Sequence, residues 1–198
     1  MKKINQELIA LFDKYGSDRR QALRENKKLS YLYALADLRE NLLDWCQFDP
    51  EQQALQIGAD AGALTWLLAR RLSSVTVLDV SEENLEVVRR RFKTEPELAA
   101  KIRYVCADVE TYAREAEKRG GTYGYVVLIG NLTAADRAGR AAQMTAAKQL
   151  LSAHGTLIAA ASNWFGVKYM AGAERETGAL SWNEMKQLLP GGEFYYPM

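Results

Sequence analysis

The sequence predicts an α/β fold: a doubly wound, mostly parallel sheet preceded by N-terminal helices. Three observations carry this. From Ala54 onward, short apolar runs alternate with longer amphipathic ones. The apolar runs are β-branched with little polar alternation, as in strands covered on both faces. Glycine follows the first run at once, in "LQIGADAGALT", where such a sheet turns from strand to helix.

Taken in order, residues 1–50 read as a helical cap and 51–198 as the α/β domain. Ile4, Leu8, Leu11 and Phe12 repeat at helical spacing, and Gly16 closes that helix. "SDRRQALRENKKL" is polar and basic. "SYLYALADLRENLLDW" predicts one helix with Ser30 as N-cap and Leu32, Leu35, Leu38, Leu42 and Trp45 on one face. The turn "FDPEQQ" ends the cap. Strands follow at "ALQIG", "SVTVLDV", "IRYVCAD", "YGYVVLIGN" and "GTLIAAAS". Helices at "ALTWLLARRL", "SEENLEVVRRRF", "VETYAREAEKRG" and "AADRAGRAAQMTAAKQLL" lie between them. "SWNEMKQLL" predicts a last helix capped by Ser181, and "EFYYPM" the start of a sixth strand, so the edge strands look incomplete.

Composition narrows the function classes. With 198 residues, 48 % of them apolar, the chain can fold as one domain. A formal charge of +1 gives no bulk attraction to nucleic acid or to an anionic membrane. No apolar run spans a bilayer, and Asn5, Gln6, Glu7 and Asp13 break up the N-terminal run, so no signal peptide is expected. Cys46 and Cys106 lack metal-ligand spacing and read as reduced thiols of a cytoplasmic protein. Arg19, Arg20, Arg24, Lys27 and Lys28 read as a solvated basic face. His154, the only histidine, sits in "SAHGT", a turn at the far end of the sheet from any ligand site.

Ligands of a doubly wound sheet bind outside the carboxyl ends of its strands. Four pieces fall there: Gly58 to Gly62, Asp79, Asp108, and Gly130-Asn131. An acid ending the second strand can accept from ribose hydroxyls, and a polar residue after the third can hold adenine. A dinucleotide loop, G-x-G-x-x-G, wants glycine at 58, 60 and 63 and finds it at 58 only. The pattern G-x-G-x-G wants 58, 60 and 62 and lacks only the central one, replaced by Asp60. A carboxylate repels a pyrophosphate but attracts a sulfonium cofactor that also carries an ammonium. The residues alone also fit a tight strand-to-helix turn, with Asp79 and Asp108 as helix caps.

From Tyr31 onward the chain resembles the class I S-adenosylmethionine-dependent methyltransferases. It is most similar to a bacterial group associated with glycosyltransferases of cell-surface polysaccharide systems. The resemblance rests on "LRENLLDW", "LQIGADAGALT", "YVVLIGNL", "LLSAHGTLIAAASNWFGVKYMAGA" and "FYYP". Asn163 to Gly172 follows most of that group's pattern E-N-R/K-F/L-G-L-K-Y-x-A-G. The resemblance implies a Rossmann-like fold, with S-adenosylmethionine as cofactor and S-adenosylhomocysteine as product. It also implies a small-molecule or sugar-derived acceptor. Gln56, Gly58, Asp60, Gly62, Asp79, Val80, Asp108, Val109, Gly130 and Asn131 would line the cofactor. Asn163, Lys168 and Tyr169 would face the acceptor. The chain departs from the group at Gln56 (usually Glu), at Asp60 (usually Gly), at Trp164 (usually basic), across "AERETG", and in ending after "FYYP". Two functions stay open: a working methyltransferase, or a degenerate relative serving as a scaffold.

Overall fold

A computed structural model of the chain describes residues 2–132, 136–174 and 178–195. Its five strands are parallel and ordered β3-β2-β1-β4-β5 in the sheet, which bears out the predicted class. By packing, the chain divides into two units, Met1–Asp108 and Val109–Met198.

The first unit opens with three helices, α1 (Lys3–Tyr15), α2 (Arg19–Glu25) and α3 (Leu29–Leu35), and a 3-10 turn at Asp37–Leu42. Then come β1 (Gln53–Ile57), α4 (Ala63–Arg71), β2 (Ser74–Asp79), α5 (Glu82–Phe92), α6 (Pro96–Ala99) and β3 (Ile102–Cys106). Strands β1 and β2 run in register from Gln53↔Ser74 to Ile57↔Leu78, and both are buried over nearly their whole length. That is why their sequences lack polar alternation. The β3 strand pairs only with β2 within this unit and is half-exposed.

The N-terminal helices are bound firmly to this unit. Leu8, Leu11, Phe12, Tyr31 and Leu35 form one buried cluster with Val87 of α5, and Ala61 of the glycine loop packs against it. Each such apolar side chain contributes about 1.5–3 kcal/mol on burial. Gly16 ends α1 as expected, its N–H bonded to the Phe12 carbonyl.

The single helix expected over 30–45 is two elements. It breaks at Ala36, which is extended, and α3 starts one residue before Ser30 with no side-chain cap. Leu35 and Leu43 are buried, whereas Leu32, Leu38 and Trp45 are exposed. The physical reason lies in the charges on the second half. Asp37 meets Arg19 at 2.8 Å, Glu40 meets Arg70 at 2.6 Å, and Arg39 meets Asp60 at 2.6 Å. Tertiary ion pairs thus override local helix propensity. The polar stretch before it holds α2, whose N-cap Asp18 accepts from Gln21 N. Arg19 also stacks on Trp66, 4.7 Å from the ring, and Lys28 pairs with Glu7, so this face is only partly solvated.

The second unit runs α7 (Val109–Arg119), β4 (Tyr123–Ile129), α8 (Arg137–Gln149), β5 (Leu151–Ala160), α9 (Val167–Met170) and α10 (Trp182–Leu188). Strand β4 is largely buried and pairs with β5, which stays half-exposed. Their register jumps from Tyr123↔Leu151 to Tyr125↔Thr156. His154 lies in that irregular start of β5, rather than in a turn before it, and is exposed as expected. Ser181 and Glu184 form the reciprocal cap of α10. The expected sixth strand does not begin at Glu193 to Tyr195, which take no regular structure; residues 196–198 lie outside the described residues. No helix among the described residues is long and apolar enough to cross a membrane.

Candidate functional site

In the first unit the loop after β1 is a left-handed turn. Gly58 has φ 92°, and Asp60, Ala61 and Gly62 follow at 43°, 49° and 76°. Two non-glycine residues in a row in this region cost roughly 1–2 kcal/mol each. Neighbouring contacts must hold them there. Gly62 N donates to the Ala59 carbonyl at 2.8 Å, and Gly58 N to the Leu78 carbonyl at 2.7 Å. Gly62 itself cannot change: a Cβ there would stand 2.9 Å from Arg91 Cδ and 3.2 Å from Val88 Cγ1.

Asp79, at the end of β2, locks the loop. Its Oδ2 accepts from Ala59 N at 2.8 Å, and its Oδ1 from Ser81 N at 2.8 Å and Asn84 Nδ2 at 3.1 Å. The cap of α5 is Ser81, whose hydroxyl accepts from Asn84 N. A carboxylate offers about four acceptor positions, so three are in use. That leaves room for one ribose hydroxyl, not the two that a bare acid could take. The next residue, Val80, is 73 % exposed, an apolar surface beside the carboxylate.

Gln56 is buried and internally satisfied. Its amide donates to the Gly58 carbonyl at 2.8 Å, and its oxygen accepts from Thr65 Oγ1 at 2.7 Å. It therefore braces the loop from beneath. Asp108 is exposed just ahead of α7, and Val109, its first residue, is buried. In the second unit Gly130 has φ 71° with open space where a Cβ would lie, and Asn131 donates its amide to the Ile129 carbonyl.

Asp60 does not point into empty space. Its Oδ2 lies 2.6 Å from Arg39 Nε, and both side chains are 28 % exposed. The pair is close, but its angles fall outside hydrogen-bond geometry, which makes it an ion contact. Burial pushes the Asp60 carboxyl above the ordinary aspartate value, against the pull of Arg39 and Arg91. Arg91 is almost fully buried. Its Nη1 donates to the Ala34 carbonyl at 2.8 Å and the Ala61 carbonyl at 3.0 Å, tying α3 to the loop. Its Nε and Nη2 have no partner among the described residues. Burial, with the like charge of Arg19, lowers this guanidinium to about 9, so it is a cation at pH 7.

Arg39 and Arg91 are the two residues that sequence reasoning missed. Arg91 hides in "RRRF", yet it lies four residues after Val87 and three after Val88, on the buried face of α5. Periodicity alone places it inside. Arg39 carried no such signal.

In the second unit, Asn163 Oδ1 accepts from Phe165 N at 3.0 Å, so it shapes its own turn. Lys168 stands 4.9 Å over the Tyr169 ring. The Tyr169 hydroxyl is buried without a partner among the described residues. Phe165, Val167 and Met170 are 62 %, 80 % and 77 % exposed. Of "AERETG", residues 175–177 lie outside the described residues. No cluster of metal-ligating side chains occurs among the described residues.

Comparisons agree with this geometry. A methyltransferase-domain family model matches residues 54–155, just over half of the chain. No curated protein matches the sequence. The N-methyltransferase NodS from Bradyrhizobium japonicum WM9, solved with S-adenosylhomocysteine, superposes with TM-score 0.61 at 16 % identity over 91 % of this chain and 82 % of that one. The glycopeptide N-methyltransferase MtfA, solved with S-adenosylmethionine, gives 0.52 at 21 % identity over 70 % and 57 %. The CcbJ methyltransferase from Streptomyces caelestis gives 0.55 at 18 % identity over 69 % and 56 %. These likenesses establish a shared fold. The chain belongs to the methyltransferase domain family, and its cofactor is S-adenosylmethionine.

Proposed function

We propose that the chain transfers a methyl group from S-adenosylmethionine to a small-molecule or sugar-derived acceptor. The observation that carries this is the left-handed loop 58–62 locked by Asp79 to the end of β2, with one acceptor position to spare. Gly58 keeps the backbone bare for close approach, Gly62 lets α5 pack against the loop, Asp79 takes a ribose hydroxyl, and Val80 covers the base. Asp108, at the end of the first unit, offers a polar group for the base. Gln56 supports the loop through the Gly58 carbonyl.

The bound sulfonium supplies the electrophilic methyl group. Transfer to an acceptor's lone pair would form the new bond to carbon and leave the carbon–sulfur pair on sulfur. The protein's work is alignment and exclusion of water, so no general base is required unless the acceptor must lose a proton. Asn163, Lys168 and Tyr169 are the acceptor-side residues, and the unpartnered Tyr169 hydroxyl is free to bond a polar acceptor group. The sugar-derived class follows the resemblance over 163–172, and with it a working place beside glycosyltransferases in the cytoplasm.

Calorimetry with S-adenosylmethionine and S-adenosylhomocysteine tests the first half of this reading. We expect dissociation constants near the micromolar range, and absence of binding at millimolar ligand overturns it. Transfer of labelled methyl to a panel of amino and hydroxyl sugars tests the second. Cofactor binding with no transfer to any acceptor favours the scaffold reading.

A further inference from the structure

The charges around Asp60 form one network within the first unit. Arg19 meets Asp37 at 2.8 Å and approaches Glu40 at 3.9 Å; Arg70 meets Glu40 at 2.6 Å; Arg39 meets Asp60. Arg91 lies close enough for the charges of Arg19, Asp37, Glu40 and Asp60 to act on it. Arg19, Arg39, Arg70 and Arg91 thus face Asp37, Glu40 and Asp60, which leaves one cation in excess. Arg19 and Arg70 are matched by Asp37 and Glu40, so the surplus falls on Asp60, which has two arginines about it. The buried Arg91 also holds two unpartnered donors. Buried cations without full partners call for an anion.

We propose that Arg39 and Asp60 together receive the amino-acid end of the cofactor. Asp60 takes its ammonium, and Arg39, released from Asp60, takes its carboxylate with the field of Arg91 behind it. The ion pair is then a stand-in for the ligand: a zwitterion enters between two opposite charges that already face each other, and each charge exchanges one partner for another. This rests on the loop's holding S-adenosylmethionine. It gives Asp60 a use at a position where the related loops carry glycine. It also gives the 3-10 turn at Asp37–Leu42 one, since that turn delivers Arg39 to the loop.

The test compares two ligands by calorimetry: S-adenosylhomocysteine, which has the amino-acid end, and 5′-methylthioadenosine, which lacks it. The proteins are the parent, Arg39→Met and Asp60→Asn, with thermal melts confirming that each is folded. In the parent, S-adenosylhomocysteine is expected to bind about tenfold tighter or more than methylthioadenosine. Each variant is expected to lose that advantage while holding methylthioadenosine within about twofold of the parent. The proposal is overturned if both ligands weaken alike, which marks general damage to the loop, or if neither changes, which leaves the pair a structural contact. A parent that binds both ligands equally well overturns the proposal and leaves the methyltransferase reading standing. A parent that binds neither overturns both.

Discussion

The two units build a glycine-bearing loop in opposite ways. In the first, every residue from Gly58 to Gly62 is fixed by a named contact: Leu78, Asp79, Arg39, Arg91 and the packing of Val88. In the second, Gly130 borders open space, and the 163–170 segment presents Phe165, Val167 and Met170 to solvent. The difference teaches where the chain commits its chemistry. A cofactor common to a whole family suits a rigid, preorganised loop, whereas an acceptor that differs between members suits a loop whose residues are not needed for the fold.

Substitutions can break this contrast, and they rank by how many contacts they remove. Asp79→Ala strips three hydrogen bonds at once and leaves donors of the loop and of α5 unmet. We expect about 3 kcal/mol of lost stability in chemical denaturation. S-adenosylhomocysteine binding should fall by about a hundredfold or more by calorimetry. The glycine pair comes next. Gly62→Ala meets Arg91 and Val88 as well as a strained φ, and should cost about 2–4 kcal/mol. Gly130→Ala pays only the backbone penalty in open space, about 1–2 kcal/mol. Melts of the two variants side by side measure the difference, and equal losses would erase the contrast.

Asp60→Asn separates stability from binding. Burial raises the Asp60 carboxyl, so its neutral form is the one the fold favours. The stability this provides is full below the unfolded value of about 4 and is lost as pH rises through the raised folded value. At pH 7 the asparagine variant should therefore melt at the same temperature as the parent or higher. Any advantage should vanish in acid below about pH 4. A variant that melts lower at neutral pH shows that the Arg39 contact outweighs burial. The smallest effect is expected at Phe165→Ala and Met170→Ala. Both should change stability by less than about 0.5 kcal/mol and leave cofactor affinity intact, while altering KM for the acceptor.

The sheet was legible because buried parallel strands cannot alternate: "VTVL" and "VVLI" have no polar face to show. The loop was legible because glycine at 58 and 62 marks a backbone of positive φ. Long-range charge was not. Nothing within a few residues of Ala36 announces that its helix breaks, since the cause is Arg19, Asp60 and Arg70, distant in sequence. Gln56 was legible as a departure from the usual acid, but its partner Thr65, nine residues on, was needed to give it a structural task. Asp60 likewise read as an oddity of the loop until Arg39 supplied its counter-charge.

The most direct measurement is a crystal structure of the chain saturated with S-adenosylhomocysteine. The account predicts the ribose on Asp79, the base against Val80, and the amino-acid end between Asp60 and Arg39, with the ion pair parted. A ligand seated away from loop 58–62, or no bound ligand with the Arg39–Asp60 contact intact, would contradict it.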